Sequence, residues 1–175
     1  MSQQHLCCVY LGDDLASYGF GNGHPFGPMR HHVFEQEFYK KLLHKEVDVL
    51  PPQTIDQSVL ELFHTQDYVA QVKQQSKFGT GYLDQGDTPA FIGMFEAASS
   101  VVGTVCNAVD RLMNNEYKRA FIPIAGLHHA RRHVAAGFCV FNDCGVAIEY
   151  LRHQYKVQRI AYVDIDAHHG DGVFY

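Results

Sequence analysis

The stretch Ile160-Ala161-Tyr162-Val163-Asp164-Ile165-Asp166-Ala167-His168-His169-Gly170-Asp171-Gly172 decides how the chain is read. Its first four residues are apolar, β-branched or aromatic, the composition of a short buried strand. Asp164, Asp166 and His168 then alternate with Ile165 and Ala167, and in an extended chain that spacing turns three polar groups to one face. Two carboxylates and an imidazole make an oxygen and nitrogen donor set suited to zinc or a similar divalent ion. Open α/β sheets place their chemistry beyond the carboxyl ends of strands, where this motif falls. A solvated turn explains many an isolated Asp-x-Asp and is the first rival. A calcium loop counted from Asp164 fails, because its sixth position is His169 rather than Gly and its twelfth is Tyr175 rather than Glu. Against the plain turn stands the density of ionisable groups directly after a buried-type strand, which is costly to place without a task.

Upstream, strand and helix patterns alternate. Leu6 to Leu11 is a continuous apolar run of buried-strand length, and Val47 to Leu50 is a second strand stopped by Pro51-Pro52. Residues 119–124 predict a third strand and Ile160 to Val163 a fourth. Helical spacing of apolar residues predicts helices over 29–44, 55–64, 65–75, 88–114 and 143–153, with Gly103 in the longest marking a close contact. Gly12 to Pro28 reads as a loop whose glycines are too loosely placed for a dinucleotide fingerprint, and Gly79 to Thr88 as a loop long enough to rim a site. With no hairpin signals, this order predicts an α/β fold with a mainly parallel sheet in one domain.

Composition narrows the function. The 175 residues carry 14 basic and 19 acidic side chains, a net charge of -5, which excludes the basic footprint of non-specific nucleic-acid binding. Met1 to His5 is polar, the first apolar run is too short for a signal peptide, and no run reaches the length of a membrane span, so a soluble cytoplasmic protein with no membrane partner is expected. Cys7, Cys8, Cys106, Cys139 and Cys144 form no C-x-x-C pair and read as buried thiols rather than disulfides or metal ligands. Twelve histidines include three adjacent pairs, at His31-His32, His128-His129 and His168-His169, and two of these pairs follow predicted strands.

The second of those strand ends continues as Gly126-Leu127-His128-His129-Ala130-Arg131-Arg132-His133-Val134-Ala135-Ala136-Gly137-Phe138-Cys139-Val140-Phe141-Asn142-Asp143. A glycine beside an aromatic brings backbone and a flat wall close to a narrow substrate. Neutral imidazoles near an activated water can act as base and acid, with carboxylates orienting their other nitrogens.

These two motifs, in this order, resemble the histone deacetylase family, with Gly23-His24-Pro25 and its surroundings closest in style to the bacterial acetoin-utilisation and acetylpolyamine amidohydrolase members. The resemblance implies an arginase-like three-layer α/β/α fold and zinc-dependent hydrolysis of an N-acetyl amide on a lysine or polyamine, with Fe²⁺ as the alternative ion. It implies Asp166 and His168 as two of three metal ligands, His128 and His129 as general base and acid, and Asp164 and Asp171 as their respective orienting carboxylates. Gly137 and Phe138 would line the acyl-lysine tunnel, Arg30 would sit by an internal channel, and a structural K⁺ would neighbour Asp164, Asp166 and His168.

Family members continue well beyond the point matching Tyr175, and there lie the third metal ligand, an Asp, and a Tyr that polarises the substrate carbonyl. Residues 1–175 are therefore expected to be the N-terminal portion of a deacetylase domain, inactive and poorly folded alone, with unpaired edges on the third and fourth strands. A non-catalytic binding module derived from a deacetylase is the alternative. A binuclear arginase-type hydrolase ranks below it for want of carboxylates at the first strand end. Sequence alone leaves the oligomeric state open.

Overall fold

The computed structural model describes residues 6–21 and 23–175. The polar start Met1 to His5 and Asn22 of the glycine-rich loop lie outside the described residues. Three short strands, β1 (Cys7–Tyr10), β2 (Asp48–Leu50) and β3 (Arg119–Phe121), form an all-parallel sheet in the order β2-β1-β3. Cys8 pairs with Asp48 on one side and Ala120 on the other, so β1 is the central strand. Its continuous apolar run follows from that place, because a central parallel strand is covered on both faces.

Helices supply the two covers. On one face Cys8 and Tyr10 join the main core with α5 (Met94–Met113), α4 (Gln66–Phe78) and α6 (Asp143–Tyr155). On the other, Val9 and Leu11 pack with Phe38 and Phe34 of α2 (Met29–Lys40). Alternate residues of β1 thus serve opposite cores, and the layering is the expected α/β/α. The loop 12–28 also holds a short helix, α1 (Asp13–Ala16), and a single turn, α3 (Gln57–Leu60), precedes α4. Thr65 caps α4 by accepting the Tyr68 N–H, as an N-cap threonine does.

At Gly103 of α5, an added Cβ would meet Gln53 O and lie 2.7 Å from the Thr54 carbonyl carbon, which is the close approach that spacing predicted. Gly103→Ala is expected to destabilise the protein by about 1–3 kcal/mol through overpacking. Urea denaturation reads this, and an unchanged midpoint would refute it.

Three expectations need correction. First, α5 begins at Met94 rather than near Thr88, because residues 81–83 and 88–90 bond to each other across the loop, with Ala90 N–H donating to Gly81 O at 2.9 Å, and Gly93 is left-handed at φ 83°. Second, Ile160 to Val163 forms no strand, and Val163 and Ile165 are 79% and 94% exposed. Strand geometry depends on pairing, and among the described residues no strand lies beside this segment. Third, the Asp164 to His168 segment is turned, not extended: Asp166 N–H donates to Asp164 Oδ1 at 3.0 Å and His168 N–H to Asp166 Oδ1 at 2.7 Å. These are successive Asx turns, in which the side chain replaces a strand partner.

Candidate active site

The segment after β3 carries His128 and His129 and has almost no regular structure of its own. It is fixed from the start of α6. Asp143, fully buried, accepts the Gly126 N–H at 2.9 Å and the Leu127 N–H at 2.6 Å. Burial pushes the Asp143 carboxyl up, and these two bonds partly offset it. The imidazoles of His128 and His129 lie side by side with ring centroids 4.2 Å apart.

Each histidine has a carboxylate behind it. His128 Nδ1 is 2.6 Å from Asp164 Oδ2, and His129 Nδ1 is 2.8 Å from Asp171 Oδ1. The first pair is 36 residues apart in sequence and the second 42. Two glycines permit this approach. A Cβ at Gly170 would collide with the Asp164 carboxylate and come within 3.3 Å of His128 Nδ1, and one at Gly172 would strike the carbonyls of His128 and Ala130. Bonds from His128 and then Tyr162 hold the Asp164 carboxyl well below the usual carboxylate range, with the Tyr162 O–H donating to Oδ2 at 2.7 Å. Burial raises the Asp171 carboxyl, but His129 and Arg131 outweigh it, with Arg131 donating to Oδ2 at 3.1 Å, and the net shift is downward. Carboxylates of this kind accept the Nδ1 proton, so a neutral ring turns an unprotonated Nε2 away from them.

A cleft of about 540 Å³ brings together Arg30, His128, His129, Gly137, Phe138, Asp166 and His168. Asp164 and Asp171 stand behind the histidines. Asp166 Oδ1 lies 3.9 Å from His128 Nε2 and 3.0 Å from His168 Nδ1, and the His168 ring is 5.8 Å from that of His129. Phe138 adopts φ 68°, a rare conformation for an aromatic residue. The Tyr18 O–H donates to Phe138 O at 2.7 Å, and the Phe138 N–H donates to Thr88 Oγ1 at 3.2 Å. Arg30 and Phe26 also line the cleft, with the Arg30 guanidinium stacked 4.6 Å over the Phe26 ring.

Among the described residues, the one group of three metal-ligating side chains with all ligand atoms within 4.8 Å is elsewhere, at His31, His32 and Glu35 of α2. There the Gly12 N–H donates to His31 Nε2 at 3.4 Å, so the neutral ring carries its proton on Nδ1, toward Glu35. That nitrogen then lacks the lone pair a metal needs.

Several residues that shape the site went unassigned in the sequence. Tyr162 reads as strand core, yet its hydroxyl serves Asp164. Asp143 reads only as the start of a helix, and Asn142 just before it drew no assignment, although an Asn in that place is a usable capping signal. Arg131 and Asp87 gave none, although Asp87 lines the same cleft. His64 is buried and its Nε2 accepts the Asn142 N–H at 2.9 Å, while burial lowers its pKa from 6.5 to about 4. The unfolded chain therefore binds more protons between those two values. Stability is full above pH 6.5 and falls as pH drops toward 4, by up to about 3 kcal/mol. His64→Gln, which keeps an acceptor for Asn142, should flatten that window in thermal melts, and an undiminished slope would count against this account.

The class that fold and site define is a parallel α/β protein with two histidine–aspartate pairs facing a cleft beside an aspartate and a third histidine. The profile of the histone deacetylase domain matches residues 24–174. The acetoin utilization protein AcuC of Bacillus subtilis (strain 168) is 38% identical over 165 residues, covering 90% of this chain and 42% of the relative. Histone deacetylase 1 of Homo sapiens is 33% identical over 180 residues, covering 95% of this chain and 36% of the relative. The chain belongs to the histone deacetylase family. It spans less than half the length of these curated relatives.

Proposed function

We propose that these residues form part of a divalent-metal-dependent deacetylase site that hydrolyses the N-acetyl amide of an acetylated lysine or polyamine. The observation that carries the reading is the pair of adjacent imidazoles, each backed by a carboxylate within 2.8 Å, in one cleft with Asp166 and His168. Asp166 and His168 line the same cleft and supply an oxygen and a nitrogen donor, a set that suits Zn²⁺ first and Fe²⁺ second. They would hold two of the ion's positions once His168 gives up the 3.0 Å contact of its Nδ1 with Asp166 Oδ1. When bound, such an ion supplies Lewis-acid polarisation of a carbonyl and a lowered pKa for water. A structural K⁺ near Asp164, Asp166 and His168 belongs to the same proposal.

The chain's own part is proton handling and positioning. With its Nδ1–H given to a carboxylate, one histidine takes a proton from the attacking water through Nε2, and the other, which must enter that step with a proton on its own Nε2, passes it to the leaving amine. Each transfer contributes about 10²–10⁴-fold in rate. Gly137 and Phe138 flank the aliphatic stem of the substrate. Arg30, stacked on Phe26, keeps a cation in the cleft wall, where an acetate ion would be attracted.

Two protein ligands hold a catalytic ion weakly, since such sites take three. With Val163 and Ile165 also bare, residues 1–175 alone are proposed to be inactive. Free thiols suit a reducing compartment, so the proposal places the protein in the cytoplasm.

The test is metal analysis together with deacetylation of an acetyl-lysine peptide and an acetylpolyamine by the metal-loaded full-length protein. Asp166→Ala should lose bound metal and His129→Ala should keep metal but lose turnover. Full activity in either variant refutes the assignment.

A further inference from the structure

We propose that Asn142 is a positioning residue for His128 and His129, fixing their backbone from the buried end of α6. Its role in turnover rests on the deacetylase reading above; its role in holding the two rings does not.

Asn142 is fully buried. Its Oδ1 accepts the Gly145 N–H at 2.8 Å, the ordinary N-cap of a helix. Its Nδ2 does something a cap does not require, donating to His128 O at 3.3 Å and to Ala130 O at 2.8 Å. Those two carbonyls bracket His129, so one amide spans a residue that lines the cleft. The amide orientation is determined, because a flip would set its NH₂ against the Gly145 N–H and its oxygen against two carbonyls. The Asn142 backbone is pinned in turn by His64, and the next residue, Asp143, holds Gly126 and Leu127. The Gly172 N–H donates to the same His128 carbonyl at 3.0 Å. His128 O is thus the point where the α6 end, the histidine loop and the segment bearing Asp171 meet. A shift of that carbonyl moves both rings relative to Asp164 and Asp171.

A pure capping role and a positioning role separate on replacement. Asn142→Asp and Asn142→Ser both keep an acceptor for Gly145 and both lose the Nδ2 group that donates to His128 and Ala130 together, since the single O–H of the shorter Ser cannot serve both carbonyls. Asp also sets a carboxylate oxygen against two carbonyls, so Ser is the milder change and carries the test if the Asp variant fails to fold. Thr65→Ala, which removes the cap of α4, is the control for lost capping elsewhere.

The direct readout is the pair of deshielded imidazole Nδ1–H resonances expected from His128 and His129 in proton NMR of the metal-loaded full-length protein without substrate. Both should shift or vanish in Asn142→Ser and Asn142→Asp. Deacetylation kcat should fall about 10²-fold, as for a misplacement near 1 Å, with KM and metal content unchanged. Thr65→Ala should lower the melting temperature and leave the resonances and kcat alone. Retention of both resonances in folded Asn142→Ser overturns the proposal, as does a loss of activity that only follows the loss of folded protein. A wild-type protein that deacetylates neither probe removes the functional reading, while the resonances still decide the positioning claim.

Discussion

Asp164→Asn is expected to lower kcat of the metal-loaded full-length protein by about 10²–10⁴-fold while leaving the fold intact. The change is isosteric, so its effect comes from hydrogen-bond polarity. Asp164 Oδ2 lies 2.6 Å from His128 Nδ1 and accepts the Tyr162 O–H at 2.7 Å, while Oδ1 accepts the Asp166 N–H at 3.0 Å. Every partner is a donor, and the carboxylate has acceptors on both sides. An amide has only one oxygen. If that oxygen stays with Asp166, the NH₂ faces His128 and Tyr162 and drives the His128 proton to Nε2, so the nitrogen facing the cleft no longer has a lone pair. If the oxygen turns to His128, the NH₂ opposes the Asp166 N–H and opens the turn that places Asp166. Both outcomes disable the site, one through the tautomer and one through the metal-side residue. Imidazole ¹⁵N shifts distinguish them, and steady-state kinetics measure the loss. A kcat within about threefold of wild type would show that His128 does not need its tautomer fixed.

What the sequence made legible follows from which interactions are local. β1 could be read from Leu6 to Leu11 because a central strand is apolar on both faces, and α5 from its periodic face, because burial demands that pattern wherever the helix packs. The pairing of His128 with Asp164 and of His129 with Asp171 was read from a family resemblance, and the structure places those atoms within hydrogen-bond distance. Their catalytic roles belong to the proposed function. Ile160 to Val163 misled because a strand's composition states only that it can pair, and pairing is a property of its neighbours. The Asp-x-Asp-x-His alternation misled for a related reason. Without a strand partner, the Asp164 and Asp166 carboxylates capture the backbone N–H groups two residues on, and a turn results. Asn142 stands directly before the helix predicted over 143–153 and was given no role, because its grip on His128 and Ala130 depends on α6 docking against the histidine loop, which no pattern of spacing encodes.

Gly137→Ala should be the most damaging single methyl addition near the cleft, because it incurs both a left-handed strain and a clash, whereas Gly126 incurs only the strain and Gly170 and Gly172 only the clash. Gly137 has φ 54°, a left-handed conformation that costs an alanine about 1–2 kcal/mol. Its added Cβ would also strike His129 Cδ2 and lie 2.8 Å from Cγ, well inside contact distance. The backbone cannot retreat easily, since Phe138 is tied through its carbonyl to the Tyr18 hydroxyl and through its N–H to Thr88. The His129 ring must therefore yield, which breaks its 2.8 Å contact with Asp171. Gly93→Ala separates the two costs: its φ is 83° and nothing lies within 4 Å of the added Cβ, so strain acts there without a clash. Both variants should lose about 1–2 kcal/mol in urea melts from the left-handed backbone alone, with a further loss at Gly137. Only Gly137→Ala should also lower kcat, by about 10²-fold, because only there does the methyl group move an imidazole. Equal stability losses with equal kcat would mean that His129 relaxes without leaving Asp171, and that the glycine serves the turn rather than the histidine.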